Sequence, residues 1–250
     1  MQPYFFPYLA YYQAISAVNK YILYDNLTYI KERYMHRNRY LVVNGKPTFF
    51  TVSIKHKSSN TLINQIELSI KPAWRTRIRQ SIYLNYKHAP YFNDFFPVID
   101  NVLNTDTNLL TNLNARSIID VSRYLEISTD IVTDVADYQV LEEKLANREE
   151  HLVNLFPYIK LKPMERKVIR VIEICRRENA DIFINAIGGQ TLYSKDDFAF
   201  HNIALFFIKS DDTTYTQRSP IFYPNLSIID VVMNCGKEKT MELLRKYTLI

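Results

Sequence analysis

Glycine is scarce in this 250-residue chain: there are 4, alongside 2 cysteines and 1 tryptophan. Two cysteines, Cys175 and Cys235, cannot build a disulfide framework or by themselves a zinc site. Cys175 shares a helical i, i+3, i+4, i+7 stripe with Val168, Val171 and Ile172, which assigns it to core packing. No stretch approaches 18 uninterrupted apolar residues, so no transmembrane helix is expected. The apolar opening lacks a positive start and is broken by Pro3 and Pro7, which argues against a signal peptide and for a cytoplasmic location. There is no Walker P-loop, G-x-G-x-x-G, G-x-S-x-G or H-E-x-x-H motif, and no His/Cys/Asp cluster has metal-ligand spacing. Repeats and low-complexity tracts are also missing. These absences remove the best-marked nucleotide-binding, hydrolase and metallopeptidase chemistries.

Aromatic residues are abundant instead, with 19 Tyr and 14 Phe. A tyrosine ring stacks while its hydroxyl bonds, which suits sugars, bases and protein partners, although most such rings serve the core. The net charge of +5 fits an anionic ligand such as a nucleotide or phosphate and is too mild for DNA. The basic stretch "WRTRIRQ" comes with no recognition motif, so nucleic acid is not an expected partner.

Along the chain, a helix is expected over 8–18, entered after Pro7, and "KYILYD" reads as a short buried strand. "RYLVVNGKPTFFTVSI" predicts a β-hairpin turning at Asn44-Gly45, with a third run, 62–68, joining it in a small sheet. Residues 73–163 form a mostly helical middle region within a single domain spanning 1–250, with a short strand near 131–135 and a charged helix in "EEKLANREEHLVNLF". The last third alternates: helix "MERKVIRVIEICRREN", strand "ADIFINAIGG", a short helix capped by Ser194, strand "IALFFIK", and two helices around Gly236. This rhythm predicts an α/β fold with a mainly parallel, Rossmann-like sheet and crossover helices.

Three constellations can carry chemistry. The first is the proline–aromatic turn Gln2, Pro3, Tyr4 and Tyr8, placed where α/β sheets bind ligands: Gln2 can hydrogen-bond one and Tyr4 stack on it, or the turn is an aromatic plug. The second is "YDNLTYIKERYMHRNRY". Asp25 ends a strand, and Lys31, Arg33, His36, Arg37, Asn38 and Arg39 follow. Arginine gives phosphate bidentate contacts, and a neutral His36 is a candidate general base near pH 7; the bland alternative is a solvated basic loop. In the third, "INAIGGQTLYSK", a strand enters Gly188-Gly189, followed by Gln190 and Tyr193, where glycine lets a phosphate or ribose approach the backbone.

Together "MQPYFFPYLAYYQAI", "YILYDNLTYIKERYMHRNRYLVVNGKPTFFTVSI", "INAIGGQTLYSKDDF" and "LSIIDVVMNCGKE" resemble the WbqC-like family, over residues 1–91 and 164–250. The resemblance implies a place among bacterial surface-polysaccharide (O-antigen, lipopolysaccharide) proteins and a role on nucleotide- or lipid-linked sugars. The sequence departs from the family pattern in three places. Met1 stands at the end of an expected first strand, Asp25-Asn26 replaces Asp-Asp, and 142–162 is longer.

The reading that follows is a transferase acylating or aminoacylating the amine of a nucleotide-linked amino sugar. Lys31 and Arg37 would bind phosphate, and Gln2 and Asn38 would orient the sugar. His36 or Asp25 would remove the proton, and Gly188, Gly189, Gln190 and Tyr193 would meet a nucleotide or acyl donor. No metal is assigned. A non-catalytic nucleotide-sugar or glycan binding module is the alternative. At fold level, the opening is also similar to adenylate-forming ligases with a histidine-containing turn, but aromatic rings stand where those enzymes place histidines.

Overall fold

The computed structural model describes residues 1–31, 34–43, 45–55, 60–147 and 163–250. The chain is a mixed α/β protein that divides into two compact units, 1–133 with 212–246 and 134–211 with 247–250.

The first unit begins with Met1 alongside strand β1 (Lys20–Ile22). The Met1 nitrogen donates to the Ile22 carbonyl and the Met1 carbonyl accepts from the Tyr24 N–H, both at 2.7 Å, which is the ladder pattern of parallel neighbours. The other edge of β1 pairs in parallel with β4 (Asp130–Val132). Between Met1 and β1 lie the turn 2–8 and helix α1 (Leu9–Ser16). Strands β2 (Arg37–Leu41) and β3 (Pro47–Thr51) form the expected hairpin, and Gly45 in its turn has φ +72°. The third run does not join them as a strand. Residues Ile63–Gln65 make a 3-10 turn, because Asn64 bonds Asn26 and the Gln65 side chain accepts from the Leu62 N–H. Isolated bridges at Leu62 and Leu68 remain.

Helices α2 (Ala73–Tyr86), α3 (Phe92–Leu103) and α4 (Leu110–Tyr124) build the helical region, each burying one apolar face. After the loop 212–226 comes α8 (Ile228–Leu244), capped by the Ser227 hydroxyl, which accepts from the Ile229 N–H. Gly236 breaks this helix at φ +73°. A Cβ there would lie 2.5 Å from the Tyr91 ring. Gly236→Ala is therefore expected to lower stability by about 2–4 kcal/mol, from left-handed strain plus overpacking, read as a fall in the urea midpoint.

The second unit contains α5 (Gln139–Asn147), α6 (Pro163–Arg177), β5 (Ile182–Ala186), α7 (Lys195–Ala199), β6 (Ala204–Ser210) and β7 (Tyr247–Leu249). β5 and β6 are parallel and β7 is antiparallel to β6. One face of this sheet packs on the helices through Leu205, Phe207, Ile169, Ile172, Phe198 and Cys175. Burial pushes the Cys175 thiol up to about 12, as an inert core thiol requires. Ser194 accepts from the Asp196 N–H and caps α7 as expected. The expected charged helix falls partly on α5, and its remainder lies outside the described residues.

The strands thus pair in three small sheets among the described residues rather than in one mainly parallel, Rossmann-like sheet. Strands of three residues offer few ladder bonds, the hairpin satisfies its own, and β7 returns antiparallel. No helix among the described residues is long and apolar enough to cross a membrane.

Candidate functional site

Helix α4 organises the first unit's candidate site. Thr111, Asn114 and Ser117 recur at three-residue spacing, which places them along one side of the helix. Thr111 Oγ1 donates to Asp25 Oδ2 at 2.5 Å. Asn114 Nδ2 donates to the carbonyls of Pro3, at 3.0 Å, and Met35, at 2.7 Å. Ser117 Oγ accepts from the Phe6 N–H at 3.3 Å. One helix therefore grips the opening turn, the strand-end carboxylate and the segment carrying His36.

A second clamp closes on the same turn. Asn38 Nδ2 donates to the Phe5 and Phe6 carbonyls at 3.2 and 2.7 Å, and the Ser227 hydroxyl donates to the Phe6 carbonyl at 2.7 Å. The backbone adds Phe5 N–H to the Tyr34 carbonyl and Ile228 N–H to the Pro7 carbonyl. Asn38, Asn114, Ser117 and Ser227 are all fully buried. This density of bonds explains how Phe6 is held at φ +42°, a left-handed backbone that costs an L residue about 1–2 kcal/mol.

The clamped turn presents its rings on a half-buried surface. Tyr4 and Tyr8 each lie 6.1 Å from the Tyr34 ring, and Tyr11 packs behind at 5.6 Å from Tyr4. Burial, reinforced by Tyr4 and Tyr34, raises the Tyr8 pKa, and burial does the same to Tyr11 and Tyr21. Their hydroxyls stay neutral at physiological pH and can donate. Gln2 is tied in through its backbone, whose carbonyl accepts from the Tyr11 hydroxyl at 2.9 Å.

Asp25 follows β1 and is 5% exposed, at the carboxyl end of a parallel strand where α/β proteins bind ligands. His36 is half-buried, and its Nδ1 lies 2.5 Å from the Tyr29 hydroxyl. Burial, and secondarily the Arg37 guanidinium, lowers the His36 pKa, so its imidazole is neutral at pH 7. The Arg37 guanidinium lies 4.6 Å from the centre of the Phe49 ring, a cation–π arrangement. Lys31 is exposed on the same loop; Arg33 lies outside the described residues.

The turn carrying Gln2, Tyr4 and Tyr8, the strand end carrying Asp25 and the segment carrying His36 are thus tied to one helix, and Asn38 takes a role other than the expected one. Asn38 was expected to orient a sugar, but its amide bonds two carbonyls of the turn and accepts from the Arg39 N–H, so it positions the turn. Gly188, Gly189, Gln190 and Tyr193 lie in the second unit. There Ile187–Thr191 forms a 3-10 turn after β5. A Cβ at Gly188 would meet nothing within 4 Å, so the backbone is open there, as a close ligand approach requires. Gly189 serves packing, since its Cβ would lie 2.3 Å from Asn185 Nδ2. Gln190 is exposed, and Tyr193 sits edge-on to Phe183 and Phe198.

Sequence reading missed Tyr29, Tyr34, Thr111, Asn114, Ser117, Ser227 and Asp230. The available signal was T-x-x-N-x-x-S on an amphipathic helix, interleaved with the apolar Leu110, Leu113, Ile118 and Val121. Asp230, fully buried, accepts from the hydroxyls of Tyr86 at 2.5 Å and Tyr215 at 2.7 Å. Burial raises its pKa above 3.8, against the lowering effect of the two phenols. The folded chain holds this proton to higher pH than the unfolded chain does, so the associated stability is complete below pH 3.8 and lost as pH rises through the folded value. The urea midpoint of the wild type minus that of Asp230→Asn is expected to fall across that window. Among the described residues no group of three or more His, Cys, Asp or Glu is placed to hold a metal ion.

These features define a mixed α/β protein built around a polar-clamped proline–aromatic turn. Residues 2–242 match the model of the WbqC-like protein family, and the chain belongs to that family. It is 24% identical over 246 residues to the uncharacterized protein Rv1507c of Mycobacterium tuberculosis (strain ATCC 25618 / H37Rv), covering 95% of this chain and 93% of the relative. No solved structure matches.

Proposed function

We propose that the protein is a cytoplasmic transferase of surface-polysaccharide biosynthesis that forms an amide on the amino group of a nucleotide-linked amino sugar. The observation that carries this reading is Asn114. One buried amide ties the stacking turn at Pro3 to the His36 segment at Met35, while Thr111, one turn earlier, holds Asp25. These bonds support a reading in which the rings of the turn and two proton-handling groups, Asp25 and His36, serve one site. Tyr4, Tyr8 and Tyr34 stack on the sugar, Lys31 and Arg37 meet the diphosphate, and Gln2 bonds a sugar hydroxyl. Asp25 or His36 takes the ammonium proton. The freed nitrogen attacks the donor's acyl carbon, the C–N bond forms as the bond to the leaving group breaks, and the proton passes to that group. In the second unit, the open backbone at Gly188, with Gln190 and Tyr193, is a separate candidate surface for a nucleotide or an acyl donor.

A second reading, a non-catalytic nucleotide-sugar or glycan binding module, is favoured by the tyrosine cluster, whose neutral hydroxyls bind sugar without any base. Incubation of the protein with nucleotide amino sugars and acyl donors, followed by mass spectrometry, separates the two. An acylated nucleotide sugar supports the transferase; tight binding with no product across the panel supports the module.

A further inference from the structure

The geometry points to a fixed Nε2–H tautomer of His36, imposed by the Tyr29 hydroxyl on Nδ1, which makes His36 a hydrogen-bond donor to bound substrate and Tyr29 its positioning residue. This deepens the reading above and rests on it for the substrate alone.

The Tyr29 hydroxyl and His36 Nδ1 lie 2.5 Å apart, within hydrogen-bond reach. Relative acidity sets the direction of that bond: a phenol is a stronger acid than a neutral imidazole N–H, and an imidazole nitrogen is a better acceptor than a phenol oxygen, so the hydroxyl donates.

Both partners are held. Tyr29 is 5% exposed, and its N–H donates to the Thr61 carbonyl at 2.9 Å. The His36 carbonyl accepts from the Val52 N–H at 2.7 Å, and the preceding residue, Met35, is fully buried with its carbonyl on Asn114. With Nδ1 occupied as an acceptor, the ring proton of a neutral imidazole sits on Nε2. That nitrogen can donate to a carbonyl or phosphoryl oxygen gaining charge but cannot accept a proton. Of the two candidate bases, Asp25 is then the one that takes the proton.

The test needs no ligand. Long-range proton–nitrogen correlation spectra of protein labelled with 15N-histidine, at pH 8, report which ring nitrogen carries the proton; the signals missing from His36→Gln identify His36. The expected pattern is protonated Nε2 and bare Nδ1 in the wild type. In Tyr29→Phe the two nitrogen shifts should converge as the tautomers mix. A wild-type Nδ1–H pattern, or a mixed pattern that Tyr29→Phe leaves unchanged, would overturn the assignment. In the turnover assay, His36→Gln, whose amide N–H can occupy the Nε2 place, should retain more activity than His36→Ala, which should lose about 10²–10³-fold. If the wild type forms no product, the transferase reading fails while the tautomer result still stands.

Discussion

Asn114→Ala should destabilise the first unit by about 2–6 kcal/mol, because it strands two buried carbonyls at about 1–3 kcal/mol each. Those carbonyls belong to Pro3 and Met35, which the Asn114 amide bridges. Loss of the bridge also loosens the support that keeps Phe6 at φ +42°. The exposed neighbour Asn112 provides the control. Asn112→Ala on the same helix should change stability by no more than about 0.5 kcal/mol. Urea denaturation followed by tryptophan fluorescence reads both, since the single tryptophan, Trp74, is buried in this unit. Equal midpoints for the two variants would remove α4 as the organiser of the site.

Asp25→Asn should lower turnover on a nucleotide amino sugar by about 10²–10⁴-fold, the usual contribution of a positioned base. The variant keeps the shape of the side chain and an oxygen to accept from Thr111, and its urea midpoint is measured beside its activity. Substrate binding should change little, because the rings of Tyr4, Tyr8 and Tyr34 do not depend on the carboxylate. Steady-state kinetics would show the loss in kcat with KM nearly unchanged. Unaltered kcat would exclude Asp25 as the base.

Much of the secondary structure was legible in the sequence because local signals agreed with the fold. Asn44-Gly45 between β-branched and aromatic runs marked the hairpin, Ser194 marked a cap, and Gly236 marked a break in the last helix. The sheet arrangement was not legible. Alternating helices and strands suggested one parallel sheet, but which strands pair depends on contacts distant in sequence, and those divide the strands among three small sheets. The run at 62–68 failed because Asn64 and Gln65 bond locally and draw the backbone into a 3-10 turn.

The site shows the same division. Asp25, His36 and the aromatic turn stood out because charge and proline are conspicuous against an apolar background. The groups that hold them did not, since Thr111, Asn114, Ser117 and Ser227 are ordinary polar residues whose burial only the fold reveals. Asn38 was misjudged for the same reason. Beside Arg37 and Arg39 it was expected to orient a sugar, yet strand alternation turns it inward to the Phe5 and Phe6 carbonyls.

The central claim is that the clamped tyrosine turn holds the sugar of a nucleotide-linked amino sugar. It is tested most directly by thermal unfolding of wild type and Tyr34→Ala against nucleotide amino sugars, the matching free nucleotides and ATP. The expected result is selective stabilisation of the wild type by a nucleotide amino sugar, above its free nucleotide, and loss of that increment in Tyr34→Ala with the unliganded melting temperature little changed. Stabilisation by ATP alone, no shift with any nucleotide sugar, or an undiminished shift in Tyr34→Ala would contradict it.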